Sequence, residues 1–209
     1  MKILSIFIIT TILGFNINAQ TSYEKGMQEA FNLWEEDKIM EASNLFERIA
    51  KAEKENWIPP FYAGYTLVIS SFEMKDEATF KLKIEKATEL LNQASSSSPN
   101  NPEIMIVKAL ANTAYINFDS QKYGMTLSGK NEYIYQAALK IAPKNPRVIL
   151  SKAEWDMGSA KFFGSSIEPY CKDIKRALSF FQNEEKSEVM FYPDWGEKKA
   201  QQILDDCEG

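Results

Sequence analysis

Apolar residues recur along this chain at steps of three and four, the spacing that puts side chains on one face of an α-helix. Tyr23, Met27, Ala30 and Trp34 form the first such series, Asp37 and Lys38 interrupt it, and Ile39, Ala42, Phe46 and Ile49 resume it. The two series predict two helices joined by a tight turn, which is an antiparallel hairpin. Phe80, Ile84, Ala87, Leu91 and Ala94 repeat the rhythm, as do Ile167, Cys171, Ile174, Leu178 and Phe181. Asp76 stands where it can cap the first of these later helices, and Ser165 or Ser166 where one can cap the second. Pro169 falls in a first turn, where its missing N–H is not needed. Only nine glycines and eight prolines punctuate 209 residues. That is too few for the many turns of an all-β chain, so the pattern predicts an all-α fold.

A short phrase occurs twice, as Pro99-Asn100-Asn101-Pro102 and as Pro143-Lys144-Asn145-Pro146, 44 residues apart. Each copy closes one helical run and opens another, and each is followed by the same pair, Lys108-Ala109 and Lys152-Ala153. A period of this size predicts stacked helical hairpins, since one such unit cannot bury its apolar face without a neighbour. Pro59 and Pro60 mark an earlier stop and restart. Residues 118–130 are rich in Gly, Ser and Asp and predict a loop. After a polar linker, Gln182 to Ser187, the stretch from Tyr192 to Glu197 has the Asp194-to-Glu197 spacing of a capping box. It predicts a final helix over about 194–207, carrying Trp195, Ala200, Ile203, Leu204 and Cys207, that caps the array.

Counted from Tyr23, the small residue Ala30 is eighth, Ala42 twentieth and Phe46 twenty-fourth, and the next unit opens 34 residues on at Trp57. In that unit Gly64 is eighth, and Ala87, Leu91, Ala94 and Pro99 match positions twenty, twenty-four, twenty-seven and thirty-two after about eleven extra residues. Units opening at Pro102 and Pro146 follow, with Ala109 and Ala153 eighth and with Asn131 where a small twentieth residue is expected. The chain thus resembles the tetratricopeptide repeat family over most of its length, and also the small secreted repeat proteins of Gram-negative bacteria. The resemblance implies a right-handed array of about four antiparallel helical hairpins over residues 20–209. It also implies an inner surface at positions five, nine and twelve of each unit. Carried onto this sequence, those are Met27, Phe31 and Trp34; Phe61, Tyr65 and Val68; Ile106, Leu110 and Thr113; and Leu150, Glu154 and Met157. Most are apolar or aromatic, and a strip of that size is expected to be covered. Either a protein or peptide partner covers it, or the final helix folds back onto it with Ile203 and Leu204.

Charge and cysteines change the picture in one direction. Met1-Lys2, an apolar stretch from Ile3 to Phe15 and a small residue at Ala19 have the three-part grammar of a secretory signal peptide. The apolar part is too short and too interrupted for a comfortable membrane span, and no other stretch could span one. Cleavage after Ala19 leaves a periplasmic or secreted chain. The net charge of −5 and the scattered acids argue against a nucleic-acid partner. Cys171 and Cys207 are the only cysteines, and an even count in an exported chain predicts a disulfide.

Candidate chemistry adds little. Histidine is absent, which removes the commonest general base and metal ligand, so neither a metal nor a cofactor is expected. Gly124 to Lys130 has the glycine and lysine spacing of a phosphate-binding loop. Asn131, however, stands where Ser or Thr should hold magnesium, and polar residues precede the motif where a strand is required. A turn with Ser128 as helix cap is the plainer reading. The neighbouring carboxylates Asp205-Asp206 and Glu35-Glu36 point to different sides of their helices, not to a catalytic pair. A binding or scaffold module is therefore expected, against a secreted enzyme using carboxylates or the Lys130 stretch, or a structural subunit of an envelope assembly.

Overall fold

The computed structural model describes residues 22–208, and these contain helices and no strand. The helices are α1 (22–35), α2 (Ile39–Ala52), α3 (Ile58–Ser71), α4 (Glu77–Ser97), α5 (Pro102–Phe118), α6 (Ser120–Ile141), α7 (Pro146–Phe162), α8 (Glu168–Phe181) and α9 (Glu197–Glu208). Consecutive helices pack as hairpins, α3 on α4, α5 on α6 and α7 on α8, and each hairpin leans on the next. The proposed leader, residues 1–19, lies outside the described residues.

The repeated phrase is a helix start written twice. Asn101 accepts a hydrogen bond from the Glu103 N–H at 2.9 Å, and Asn145 one from the Val148 N–H at 3.0 Å. Pro102 and Pro146 open the helices that follow, where a missing N–H costs nothing. Asp76 caps α4 through the Thr79 N–H at 2.9 Å. At α8 the cap position is Ile167, and Ser166 Oγ accepts the Glu168 N–H at 3.2 Å. Pro59 and Pro60 lie in the first turn of α3.

The small positions hold the hairpins close. Ala30, Ala42, Ala87, Ala109 and Ala153 are all buried. A Cβ on Gly64 would lie 2.8 Å from Leu91 Cγ and 3.0 Å from the Ala87 carbonyl, so α3 and α4 meet where one residue has no side chain. Asn131 is fully buried at its small position because it has partners there. Asn112 donates to its Oδ1 at 2.9 Å and its Nδ2 donates to Thr113 Oγ1 at 3.0 Å, which meets the cost of burying an amide.

Two expectations are corrected. Residues 118–130 are not a loop: α5 runs through Phe118, Asp119 alone breaks the chain, and α6 starts at once with Asp119 accepting from the Lys122 N–H at 3.0 Å. Gly124, Ser128, Gly129 and Lys130 are consequently mid-helix residues, neither a phosphate cradle nor a cap. The physical reason is that both glycines sit in open space, where they lower helix stability by about 1 kcal/mol each without blocking it. The final helix begins at Glu197, not 194, with the Ala200 N–H bonding to the Gly196 carbonyl at 2.8 Å, so Asp194 is not its cap.

Cys171 and Cys207 are bonded, with Cα atoms 6.0 Å apart. The bridge fastens α9 to α8, and Ile203, Leu204 and Cys207 pack on the core of the fourth hairpin. Closing a loop over a sequence separation of 36 should add about 4 kcal/mol by restricting the unfolded chain. Replacing both cysteines by serine should lower the midpoint of thermal unfolding, as measured by circular dichroism, and make α9 amides exchange faster.

Candidate functional site

The positions expected to form the inner surface fall on α1, α3, α5 and α7, and most of them are wholly or partly buried. Met27, Phe61, Tyr65, Val68, Ile106, Leu150 and Met157 are buried, whereas Phe31, Trp34, Leu110, Thr113 and Glu154 are half-buried. The cover comes from within the chain and has two parts. Over the fourth unit, Ile203 and Leu204 of α9 pack on the cluster that holds Leu150 and Met157, as one of the two expectations had it; over α1 and α3 it is the irregular segment 188–196 between α8 and α9, here called the strap.

Aromatic rings seat the strap. Phe191 stacks on Phe31 at 5.8 Å and meets Tyr23 edge-on at 5.7 Å. Tyr192 meets Trp57 edge-on at 5.8 Å, and Trp195 stacks on Tyr65 at 5.6 Å. Beneath them the rings continue, Phe31 against Tyr62 at 4.7 Å and Phe61 against Tyr65 at 5.9 Å. Such pairs add about 0.5–1.5 kcal/mol each beyond their buried area. Where the strap turns into α9, Gly196 has φ of 114°, and a Cβ there would lie 2.7 Å from Phe181 Cζ. Gly196→Ala should therefore unseat the strap and cost about 1–3 kcal/mol through overpacking and backbone strain, read as a lower urea midpoint. Past the turn, Lys199 reaches Glu154 at 2.5 Å.

A buried charge cluster lies under the strap. Arg147 and Glu103 are the residues after the second proline in each copy of the phrase, so the 44-residue period brings equivalent positions of neighbouring units together. Arg147 Nε donates to Glu103 Oε1 at 2.9 Å, with side chains 1% and 0% exposed. Asn145 Nδ2 donates to the same oxygen at 2.6 Å, and the Tyr192 hydroxyl reaches it at 3.4 Å. The terminal nitrogens of Arg147 fork onto Glu184, Nη1 at 2.9 Å and Nη2 onto the second oxygen. The rings of Tyr192 and Phe181 flank the guanidinium at 5.7 and 5.9 Å. Burial pushes the Glu103 carboxyl up, against the pull of Arg147 and Asn145. Burial acts against the Arg147 charge, but Glu184 and Glu103 hold it above its ordinary value. Burial also pushes up the phenols of Tyr62, Tyr65 and Tyr135, and that of Tyr192 to about 12.

The fit between strap and groove leaves polar atoms unpaired. Glu103 Oε2 and Trp195 Nε1 are buried without a hydrogen-bond partner among the described residues, a cost of about 1–3 kcal/mol per group. A shallow hollow of about 600 Å³ lies at the strap's edge, between the turn after α2 and Val189. A smaller cleft of about 280 Å³ is lined by Phe72, Met74, Lys75 and Phe118 near the far ends of α3 and α5. The other candidates do not assemble. Glu35, Glu36, Asp205 and Asp206 are exposed. Among the described residues no metal-ligand cluster forms and no helix is long and apolar enough to cross a membrane.

Sequence reasoning missed the strap and the cluster. Phe191-Tyr192 and Trp195 inside an otherwise polar linker were the available signal for the strap, since a solvated linker has no use for three large rings. The coincidence of Glu103 and Arg147 in the repeat register was the signal for the ion pair.

No protein-family model matches the chain, so the tetratricopeptide resemblance is one of residue spacing alone. No curated protein matches either. Among solved structures, the chain is similar to the HusA haemophore from Porphyromonas gingivalis, with a TM-score of 0.77 and 23% identity over 89% of this chain and 92% of that one. At this identity the likeness establishes the fold: an all-helical array of hairpins along nearly the whole length of both chains.

Proposed function

We propose that the protein is an exported carrier, in which residues 1–19 are removed and residues 20–209 form one helical-repeat binding domain. Its concave face takes up a planar, apolar, carboxylate-bearing ligand of the haem class. The observation that carries this reading is the ladder of aromatic rings on α1, at Trp57 and on α3, which already receives three rings of the strap, two stacked and one edge-on. The likeness to a haemophore over nearly all of the chain supports the ligand class. The reading needs no catalytic group, and it places the protein in the periplasm or outside the cell.

With no histidine in the sequence, iron coordination would fall to tyrosine or methionine. The groove tyrosines are held in the neutral form by burial, which disfavours a phenolate bond to iron. Recognition then rests on ring stacking and on contacts to the carboxylates. Hemin should bind saturably, with a shift of its Soret band, and iron-free protoporphyrin IX should bind within about tenfold of it, or 1.4 kcal/mol. Absence of a saturable Soret change at micromolar protein refutes the ligand class. A protoporphyrin affinity lower by more than a hundredfold refutes recognition without iron.

A second reading is favoured by one observation, the irregular, non-helical course of the strap. A groove that seats Phe191, Tyr192 and Trp195 of its own chain can seat an aromatic segment of a partner protein in the same way. Capture of a partner that hemin does not displace favours this second reading.

A further inference from the structure

We propose that the strap is a displaceable plug that imitates the ligand, with Glu184 as its anchor, and that the Arg147 fork beneath it is the seat of the ligand's carboxylate. The inference rests on the carrier reading above and adds the residue that holds the ligand's charged end and the segment that competes for its place.

Three observations lead to it. The plug presents the two chemistries of such a ligand at once: the Glu184 carboxylate takes both terminal nitrogens of Arg147, while Phe191, Tyr192 and Trp195 supply flat apolar faces. Side chains alone hold it. Among the described residues no backbone hydrogen bond from 188–195 reaches another element, the two found there running from the Tyr192 N–H to the Val189 carbonyl at 3.2 Å and from the Val189 N–H to Ser187 Oγ at 3.1 Å. Its fit is also incomplete, with Trp195 Nε1 and Glu103 Oε2 buried and unpaired at the contact. A segment held by side chains, with unpaired polar atoms beneath it, can be exchanged for a better occupant at modest cost.

Departure of the plug leaves Arg147 fixed through Nε to Glu103, with both terminal nitrogens facing the place Glu184 vacates. That fork matches a carboxylate in two parallel hydrogen bonds. The Cys171–Cys207 bridge anchors both ends of the linker that contains the plug, so the displaced segment stays tethered and competes at high effective concentration. Ligand affinity is then the difference between two occupants of one groove.

Hemin and the aromatic sulfonate 1-anilinonaphthalene-8-sulfonate, titrated separately into the disulfide-bonded mature chain, test this. The variants are Glu184→Gln, the double variant Phe191→Ala with Tyr192→Ala, and Glu185→Gln as an exposed neighbour outside the seat. Weakening the plug should raise affinity for both probes about tenfold in the first two variants, with no change in the third. Arg147→Lys, which keeps the charge and loses the fork, should lower hemin affinity. Equal affinities of wild type, Glu184→Gln and the double variant for both probes overturn the plug. If hemin binds none of the proteins while the sulfonate binds the plug variants more tightly, the haem-class reading falls and the plug stands. If hemin binds all of them equally, the plug falls and the carrier reading stands. A rise with Glu185→Gln as large as with Glu184→Gln reduces the effect to net charge and overturns the seat.

Discussion

Arg147→Met should destabilise the fold by about 3–5 kcal/mol, because it leaves the Glu103 carboxylate buried without its counter-charge. Glu103 is fully buried and one of its oxygens already lacks a partner, so the neighbourhood offers no second cation. Urea unfolding followed by circular dichroism measures the change. Adding Glu103→Leu to Arg147→Met should recover most of the loss, since replacing a buried ion pair by apolar side chains is often close to neutral. The double-mutant cycle thereby separates the pair from packing. An Arg147→Met variant within about 1 kcal/mol of wild type would mean that water reaches Glu103 and that the strap does not seal the cluster.

Phe61→Ala should cost a similar amount for a different reason. Phe61 is fully buried in the strip expected to be covered by a partner or by the chain itself, and it touches the rings of Trp57, Tyr62 and Tyr65. Its truncation opens a cavity, at about 3–5 kcal/mol. Tyr65→Ala removes the ring on which Trp195 stacks, so it should additionally expose the tryptophan and shift its fluorescence to the red. Had the strip been an open partner surface, both substitutions would cost about 1–2 kcal/mol at most. That smaller value, found for both, contradicts a groove covered from within.

These two expectations show where the sequence was legible. Periodicity of three and four marked the hairpins, because each helix must turn one face to the core. Asn101-Pro102 and Asn145-Pro146 marked helix starts, because a cap and an N1 proline act through their immediate neighbours alone. Gly64 and Ala87 marked the close approach of α3 and α4 for a similarly local reason: a small residue leaves space wherever it sits. The strap was illegible as a cover because its contacts reach from Phe191 to Phe31 and from Trp195 to Tyr65, across most of the chain. Nothing in Tyr192-Pro193-Asp194-Trp195 encodes its target. Residues 118–130 were misjudged because glycine and serine signal a loop only when tertiary packing does not decide otherwise, and here the capped start at Asp119 and the buried Asn131, Tyr135 and Ala138 fix α6. The ten-odd residues by which the later units exceed the tetratricopeptide length became helix in α4 and α6, at 21 and 22 residues.

The fold and the proposal meet at one place, the aromatic face of α1 and α3 beneath the strap. Backbone amide exchange, followed by mass spectrometry with and without hemin, tests that most directly. Hemin should speed exchange at Val189 and Tyr192, whose N–H groups are bonded within the strap, and slow it in the adjoining halves of α1, α3 and α7. Hemin that binds while Val189 and Tyr192 keep their protection, with slowing instead around the exposed Phe162 and Phe163 at the end of α7, would contradict the account.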